Sequence, residues 1–370
     1  MMKLKLSFIL LLGTVIALGS VSAYAAAGAV YTMSNSSTAN TILRFNRSPD
    51  GQLSPAGVFL TGGRGTGGGL GNQGALAIDD EKGFLFAVNP GSNNISVFRI
   101  TEDGLQLEDV AGSNGSRPIS ITVNHKFLYV LNNGGAVGGS DSIAGFKIDK
   151  NGHLSSIVSG IPLTAPSVGP AQIGFNADGD GLIVTEKNTN KIDLFSVDDE
   201  GVASGPQVVA SAGNTPFGFA FGKRDQVFVS DAFGGAANAG AVSSYKVTGG
   251  QGLETIEPAA NDKQSAPCWV VVTNDGRFTY TTNTGSGTIS GYGIGFDGSL
   301  RLLNENGQTA DTGKGSTPID AALSNNSRFL YVLTPGSQSI QGFDIASDGN
   351  LSPISQASDI PSSANGLVAR

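Results

Sequence analysis

Three ionisable residues stand out by type and placement: Arg117, just ahead of Pro118, and the adjacent pair Glu186-Lys187. A carboxylate next to cations can pair with them structurally, or the charges can polarise a substrate carbonyl; the trio is open to both uses. Polar and aromatic residues that could wall a pocket accompany them: Gln172, Asn132, Asp231, Asn283, Trp269 and Asp320. The only histidines, His125 and His153, fall in polar turns, and the single cysteine, Cys268, has no histidine placed to activate it. Serine- or cysteine-nucleophile chemistry therefore lacks its base.

Weaker motifs fail on context. Gly63-Arg64-Gly65-Thr66-Gly67-Gly68 has dinucleotide-fingerprint spacing, but lies between strands with no helix after it. Asn176 to Gly181 opens like a calcium loop, yet its twelfth position is Lys187 where a bidentate Glu is needed. No cofactor is expected. A divalent cation held by Glu186, Asp231, Asn89, Asn132 and Asn283 is the one metal arrangement to test, and no local spacing rule supports it.

What must position these residues is a repeat. A β-branched residue, two small or polar residues and an aromatic recur seven times, at Ile42–Phe45, Ile95–Phe98, Ile143–Phe146, Ile192–Phe195, Val242–Tyr245, Ile289–Tyr292 and Ile340–Phe343. Each is followed by a turn glycine (Gly51, Gly104, Gly152, Gly201, Gly252, Gly298, Gly349), about every 50 residues, a length that suits a four-stranded blade. The expected fold is all-β: a seven-bladed β-propeller of four-stranded antiparallel blades. The blades span 26–62 with 363–370, then 74–112, 117–160, 169–213, 215–261, 266–310 and 317–360. The first unit lacks an inner strand, and Asn365 to Ala369 is a spare one, so the last strand closes the first blade and removes an open edge.

In such a blade the first strand leaves one face and the second returns to it. Blade entries (Arg117-Pro118, Gly169-Pro170-Ala171-Gln172, Pro267-Cys268-Trp269, Thr317-Pro318-Ile319-Asp320) thus share a face with the second-to-third-strand loops, which carry Asn132, Glu186-Lys187, Asp231 and Asn283. A ligand is expected there, at the centre. The alternative is that Asn and Asp sit there because they tolerate turn geometry.

Composition agrees, with 54 Gly and only 14% charged residues. Lys3 and Lys5, an apolar run from Leu6 to Leu18 and Ala23-Tyr24-Ala25 read as a signal peptide over 1–25, cleaved after Ala25, with 26–370 as the propeller. The expected location is periplasmic or secreted. Cleavage would lower the net charge from −8 to about −10, and no Lys/Arg cluster exists, so no nucleic-acid partner is expected and anionic membrane surfaces are poor partners. No later apolar run could span a membrane, and a monomer is expected.

Segments such as Phe127-Leu128-Tyr129-Val130-Leu131-Asn132 and Arg328-Phe329-Leu330-Tyr331-Val332-Leu333, with Gly-x-Pro-type entries and Asp-Gly-x-Leu hairpins, resemble the lactonase family of seven-bladed propellers. That family includes the propeller-type 6-phosphogluconolactonases and the carboxymuconate cyclases, and the resemblance runs from Ala26 to Arg370. It implies opening or closing of a lactone, with a small lactone or carboxylate as ligand. Glu186 would act as general acid or base, Arg117 and Lys187 as oxyanion or carboxylate partners, and Gln172, Asn132, Asp231, Asn283, Trp269 and Asp320 would shape the pocket. Typical members carry a histidine at the start of a middle blade, where this chain has Gly169-Pro170-Ala171-Gln172, which implies a histidine-free version. The acidic balance and export argue against a phosphorylated sugar lactone. The competing expectation is a noncatalytic extracytoplasmic propeller that binds a protein or polysaccharide.

Overall fold

The computed structural model describes residues 27–249 and 252–370; the expected leader at 1–25 lies outside them. The described chain forms seven antiparallel sheets, each built on a path of four strands. From the axis outward, the blade that carries Glu186 runs Pro170–Phe175, Gly181–Glu186, Lys191–Val197 and Ala203–Ala210. The others repeat that order. In blade 6 the outermost strand is broken into Leu300–Leu302 and Ala310–Asp311, a split that the even repeat did not announce.

Ring closure takes the expected form. Asn365–Ala369 pairs antiparallel with Gly28–Met33, setting Val30 opposite Ala369, Tyr31 opposite Val368 and Thr32 opposite Leu367. Thr32 Oγ1 donates to Gly366 O at 2.7 Å, and Arg370 N to Ala29 O at 2.9 Å.

The repeated turn glycine has two physical causes. Gly51, Gly201 and Gly349 have φ of 85°, 84° and 87°, in the left-handed region that costs other residues free energy. An aromatic of the preceding blade also lies on each: a Cβ at Gly201 would fall 2.5 Å from the Phe127 ring, and one at Gly349 2.6 Å from Phe278. The second strands bring a tyrosine to the same hairpins, and Tyr129, Tyr280 and Tyr331 donate their buried hydroxyls to the carbonyls of Gly201, Gly349 and Gly51 at 2.7, 2.7 and 2.9 Å. Each hairpin is thus pinned by its neighbour, and the core is a series of blade-on-blade layers.

Among the described residues no helix is long and apolar enough to cross a membrane.

Candidate functional site

The strands of a blade alternate their side chains between its two faces, and in a propeller those faces pack on the neighbouring blades. Only the inner strands border the axis. Residues at the ends of second strands therefore aim sideways into the gaps between blades, which corrects the expectation that they converge on a central pocket.

The registers show the pattern. Glu186, Asn89, Asn132, Asp231 and Asn283 occupy one equivalent position, immediately after the residue that pairs with the repeat's β-branched residue. All five are buried, each in a different blade. Each meets polar groups of the linker from the previous blade or of its own third strand. Thr61 Oγ1 donates to Asn89 at 2.7 Å, Asn132 Nδ2 to Ser113 O at 3.2 Å, and Ser243 Oγ to Asp231 at 2.5 Å. Asn283 Nδ2 donates to Ser290 Oγ at 2.8 Å. The five are hydrogen-bonded joints, and as a cation cage they are dispersed; among the described residues no group of three or more His, Cys, Asp or Glu is gathered to hold a metal.

Glu186 has the most elaborate joint. Thr164 donates its backbone N–H to Oε1 at 3.1 Å and its hydroxyl to both oxygens at 2.8 and 2.6 Å, and Thr189 Oγ1 adds a further bond. Its partners are these threonines, and it makes no ion pair with Lys187. Asp193, absent from the sequence-based set, is the decisive neighbour. Where the blades on either side in the chain's order place Ala144 and Ser243, Asp193 puts a second buried carboxyl beside Glu186. Burial, and then the hydrogen bond and charge of Glu186, push the Asp193 carboxyl up to about 8. Burial and the adjacent Glu186 carboxylate thus favour the protonated form of Asp193, whose two oxygens have no other hydrogen-bond partner.

Gln172 and Asp320 sew inner strands together. Gln172 Oε1 accepts from Phe219 N at 2.6 Å, and Asp320 accepts from Ala321 N at 2.8 Å and Leu367 N at 3.1 Å. Both lie near the axis with their acceptors engaged.

Lys187, Arg117 and Trp269 are the predicted residues left near one another, the first two half-buried and Trp269 buried. Lys187, half-buried, follows Glu186 and turns the other way. Its ammonium lies 4.6 Å from the centroid of the Phe217 ring, 3.2 Å from Pro170 O, and against Gly71 O. Loss of water lowers Lys187 to about 8, with the nearby Cys268 and Asp141 acting to raise it and Arg117 to lower it. Arg117 is half-buried and its Nε has no partner. Phe217 and Trp269 stack at 5.1 Å, and the buried Trp269 Nε1 is also unpartnered. Ala171, Phe217, Cys268 and Ile319, each following an entry proline, complete an apolar ring with Trp269. Burial pushes the Cys268 thiol up to about 12, far from a nucleophile's range. Unpartnered donors and a desolvated ammonium on an aromatic wall can hold carbonyl or carboxylate oxygens.

The axis behind this wall is crossed by a blade-entry residue outside the predicted site set. Gln73, from the entry of blade 2, donates its backbone N–H to Ala171 O at 3.0 Å, and its carboxamide exchanges two hydrogen bonds with Val270, at 2.9 and 3.0 Å. These contacts lie in blades 4 and 6, so Gln73 crosses the centre.

Open concavities occur on the hairpin face. One of about 380 Å³ is lined by Asn176, Asp178, Asp180, Lys223, Arg224 and Asp225. Another of about 350 Å³ holds His125, whose Nδ1 is 3.5 Å from Asp79 and 3.4 Å from Glu81. His153 sits in an exposed hairpin 3.3 Å from Asp149, so both histidines lie away from the entry face, as expected.

Residues 105–203, which include Arg117, Glu186, Lys187 and Asp193, match the family model described as Lactonase, 7-bladed beta-propeller. No curated protein matches the chain by sequence. Solved structures do: the periplasmic gluconolactonase of Pseudomonas aeruginosa (18% identity, 92% of this chain and 99% of that one, TM-score 0.74) and a protein from Lactobacillus plantarum (17%, 93% and 99%, 0.75). Virginiamycin B lyase from Staphylococcus aureus is more distant (15%, 80% and 87%, 0.53). At such identities the shared property is the fold. By fold along its described length, and by sequence over residues 105–203, the chain resembles the lactonase family of seven-bladed β-propellers.

Proposed function

We propose that the protein is an exported lactonase-like enzyme that opens an unphosphorylated lactone at the entry-face mouth, with Lys187 and Arg117 as its working groups. The observation that carries this reading is the desolvated Lys187 ammonium, held on the Phe217–Trp269 wall within the stretch that matches the family model. Water adds to the lactone carbonyl carbon, the ring C–O bond breaks, and the product is a hydroxy acid. A lysine that titrates near 8 is neutral often enough to take the proton from water and return it to the leaving ring oxygen. The Arg117 guanidinium would hold the oxyanion and then the carboxylate. Glu186, with both oxygens occupied, supports the mouth through the joint with Asp193, Thr164 and Thr189.

The test is hydrolysis of a panel of phosphorylated and unphosphorylated lactones by the mature protein, beside Lys187→Met, Arg117→Met and Glu186→Gln. Activity lost in Lys187→Met and Arg117→Met and retained in Glu186→Gln supports this assignment, whereas loss in Glu186→Gln alone returns the proton transfer to the carboxylate. A second reading, a noncatalytic propeller that binds a protein or polysaccharide, is favoured by the filled axis; no turnover of any lactone together with retained binding would establish it.

A further inference from the structure

The linker between blades 1 and 2, residues 61–75, is rich in glycine and folds back onto the entry face. Its first part is anchored: Gly65 and Gly67 donate to Ser36 O and Asn35 O at 2.7 and 2.8 Å, and Asn35 Nδ2 donates to Gly68 O at 2.6 Å. Its tip packs against the inner strands. Leu70, Asn72 and Gln73 are buried, Asn72 Nδ2 donates to Ile119 O, and Lys187 Nζ binds Gly71 O. Anchor and tip are separated by Gly68 and Gly69, where an added Cβ would meet nothing within 4 Å. On the far side, Gly74 has φ of 79°.

We propose that Leu70–Gln73 is a strap that closes the axial channel from within and must swing out on its flanking glycines before a ligand reaches the axis. The groups it covers are those a polar ligand would use: the N–H and C=O of Val270 on the inner edge of its strand, Ala171 O, and the Lys187 ammonium that Gly71 O now engages. A ligand carboxylate or carbonyl that binds Lys187 competes with Gly71 O, so binding and opening favour each other. As regulation of the proposed catalytic mouth, the inference rests on the lactonase reading for its biological use, but the motion itself does not.

The chain supplies two reporters immediately next to the Val270 groups that Gln73 binds: its single tryptophan, Trp269, and its single cysteine, Cys268, both buried. The experiment measures alkylation of Cys268 by a small maleimide, and acrylamide quenching of Trp269, in the unmodified protein, in Gln73→Ala, and in Gly68→Ala/Gly69→Ala. Removing the double hydrogen bond to Val270 should raise the alkylation rate by about tenfold and increase quenching at urea concentrations well below the unfolding transition, whose midpoint falls only modestly because the same bonds are lost from the native state. The alanine pair, which stiffens the hinge without steric conflict, should slow alkylation. Equal rates in all three proteins, or rates that rise only with urea in the unfolding range, would overturn the strap. Lactone turnover is read in parallel. A moving strap with no turnover refutes the lactonase reading and leaves the strap, whereas turnover with invariant alkylation refutes the strap and leaves the enzyme.

Discussion

Replacing Asp193 by asparagine should make the protein resist alkaline conditions better. The Asp193 carboxyl, with an ordinary value of 3.8, is pushed to about 8 by burial and by Glu186. Between these values the folded state holds a proton that the unfolded chain has released. Stability therefore falls as pH rises through that window, by about 1.4 kcal/mol per pH unit for one full proton. From pH 5 to pH 7 this amounts to at most about 3 kcal/mol. Asparagine is nearly isosteric, can donate an amide hydrogen to Glu186, and does not titrate. Asp231 and Asp262, raised to about 7 and 6 mainly by burial, slope the same way in both proteins and cancel in the difference. The assay is thermal unfolding from pH 5 to pH 9. The Tm of Asp193→Asn minus that of the parent should grow by about 5 °C between pH 5 and pH 7 and level off above pH 8. Parallel Tm curves across the range would refute the raised Asp193 carboxyl and the account of its place beside Glu186.

Further expectations follow from the same geometry. Hydrolysis by the parent should rise from pH 6 toward pH 9 as Lys187 loses its proton near 8, with the rise absent in Lys187→Met; a flat profile in the parent would argue against Lys187 as the base. Gly201→Ala, placing a Cβ 2.5 Å from Phe127 at a φ of 84°, should lower stability by about 2 kcal/mol or more in urea titration. Tyr129→Phe leaves the Gly201 carbonyl without the 2.7 Å bond it accepts and should cost about 1 kcal/mol by the same measurement. Deleting residues 365–370 removes the inner strand of blade 1, exposing Tyr31 and Leu367's partners, and should convert cooperative unfolding into aggregation, read by light scattering.

The architecture was legible because each blade must solve the same steric problem. Gly51, Gly201 and Gly349 recur since each takes a positive φ beneath a neighbour's aromatic, and the β-branched residue and aromatic recur since they fill the layer between blades. The closing strand could be read from the unpaired inner position it fills. The site was less legible. Glu186 and Lys187 are neighbours in sequence and so point to opposite sides of the chain, one into the joint and the other onto Phe217. Their charges suggested a pair, but strand alternation separates them. Asp193 was hidden because a polar residue at its position elsewhere is a serine, or in blade 7 Gln341, making an ordinary bond, and only the fold shows it beside a second carboxyl. Gln73 is legible as a blade-entry residue, but its role was not, because its partners, Ala171 and Val270, are 98 and 197 positions away in sequence.

The pairing of Arg370 with Ala29 places the end of the propeller directly beside its beginning, so the ring has no privileged starting point. A chain recut in the linker after Gly112, with Arg370 joined to Ala27 by a short glycine bridge, would keep every blade's pairing. Its closing seam would move from a single strand within blade 1 to the boundary between two whole blades, turning hydrogen-bonded closure into closure by side-chain packing alone. Comparing the two orders of assembly would separate what the interlocked first blade contributes to holding the circle shut from what its contacts contribute wherever the chain begins.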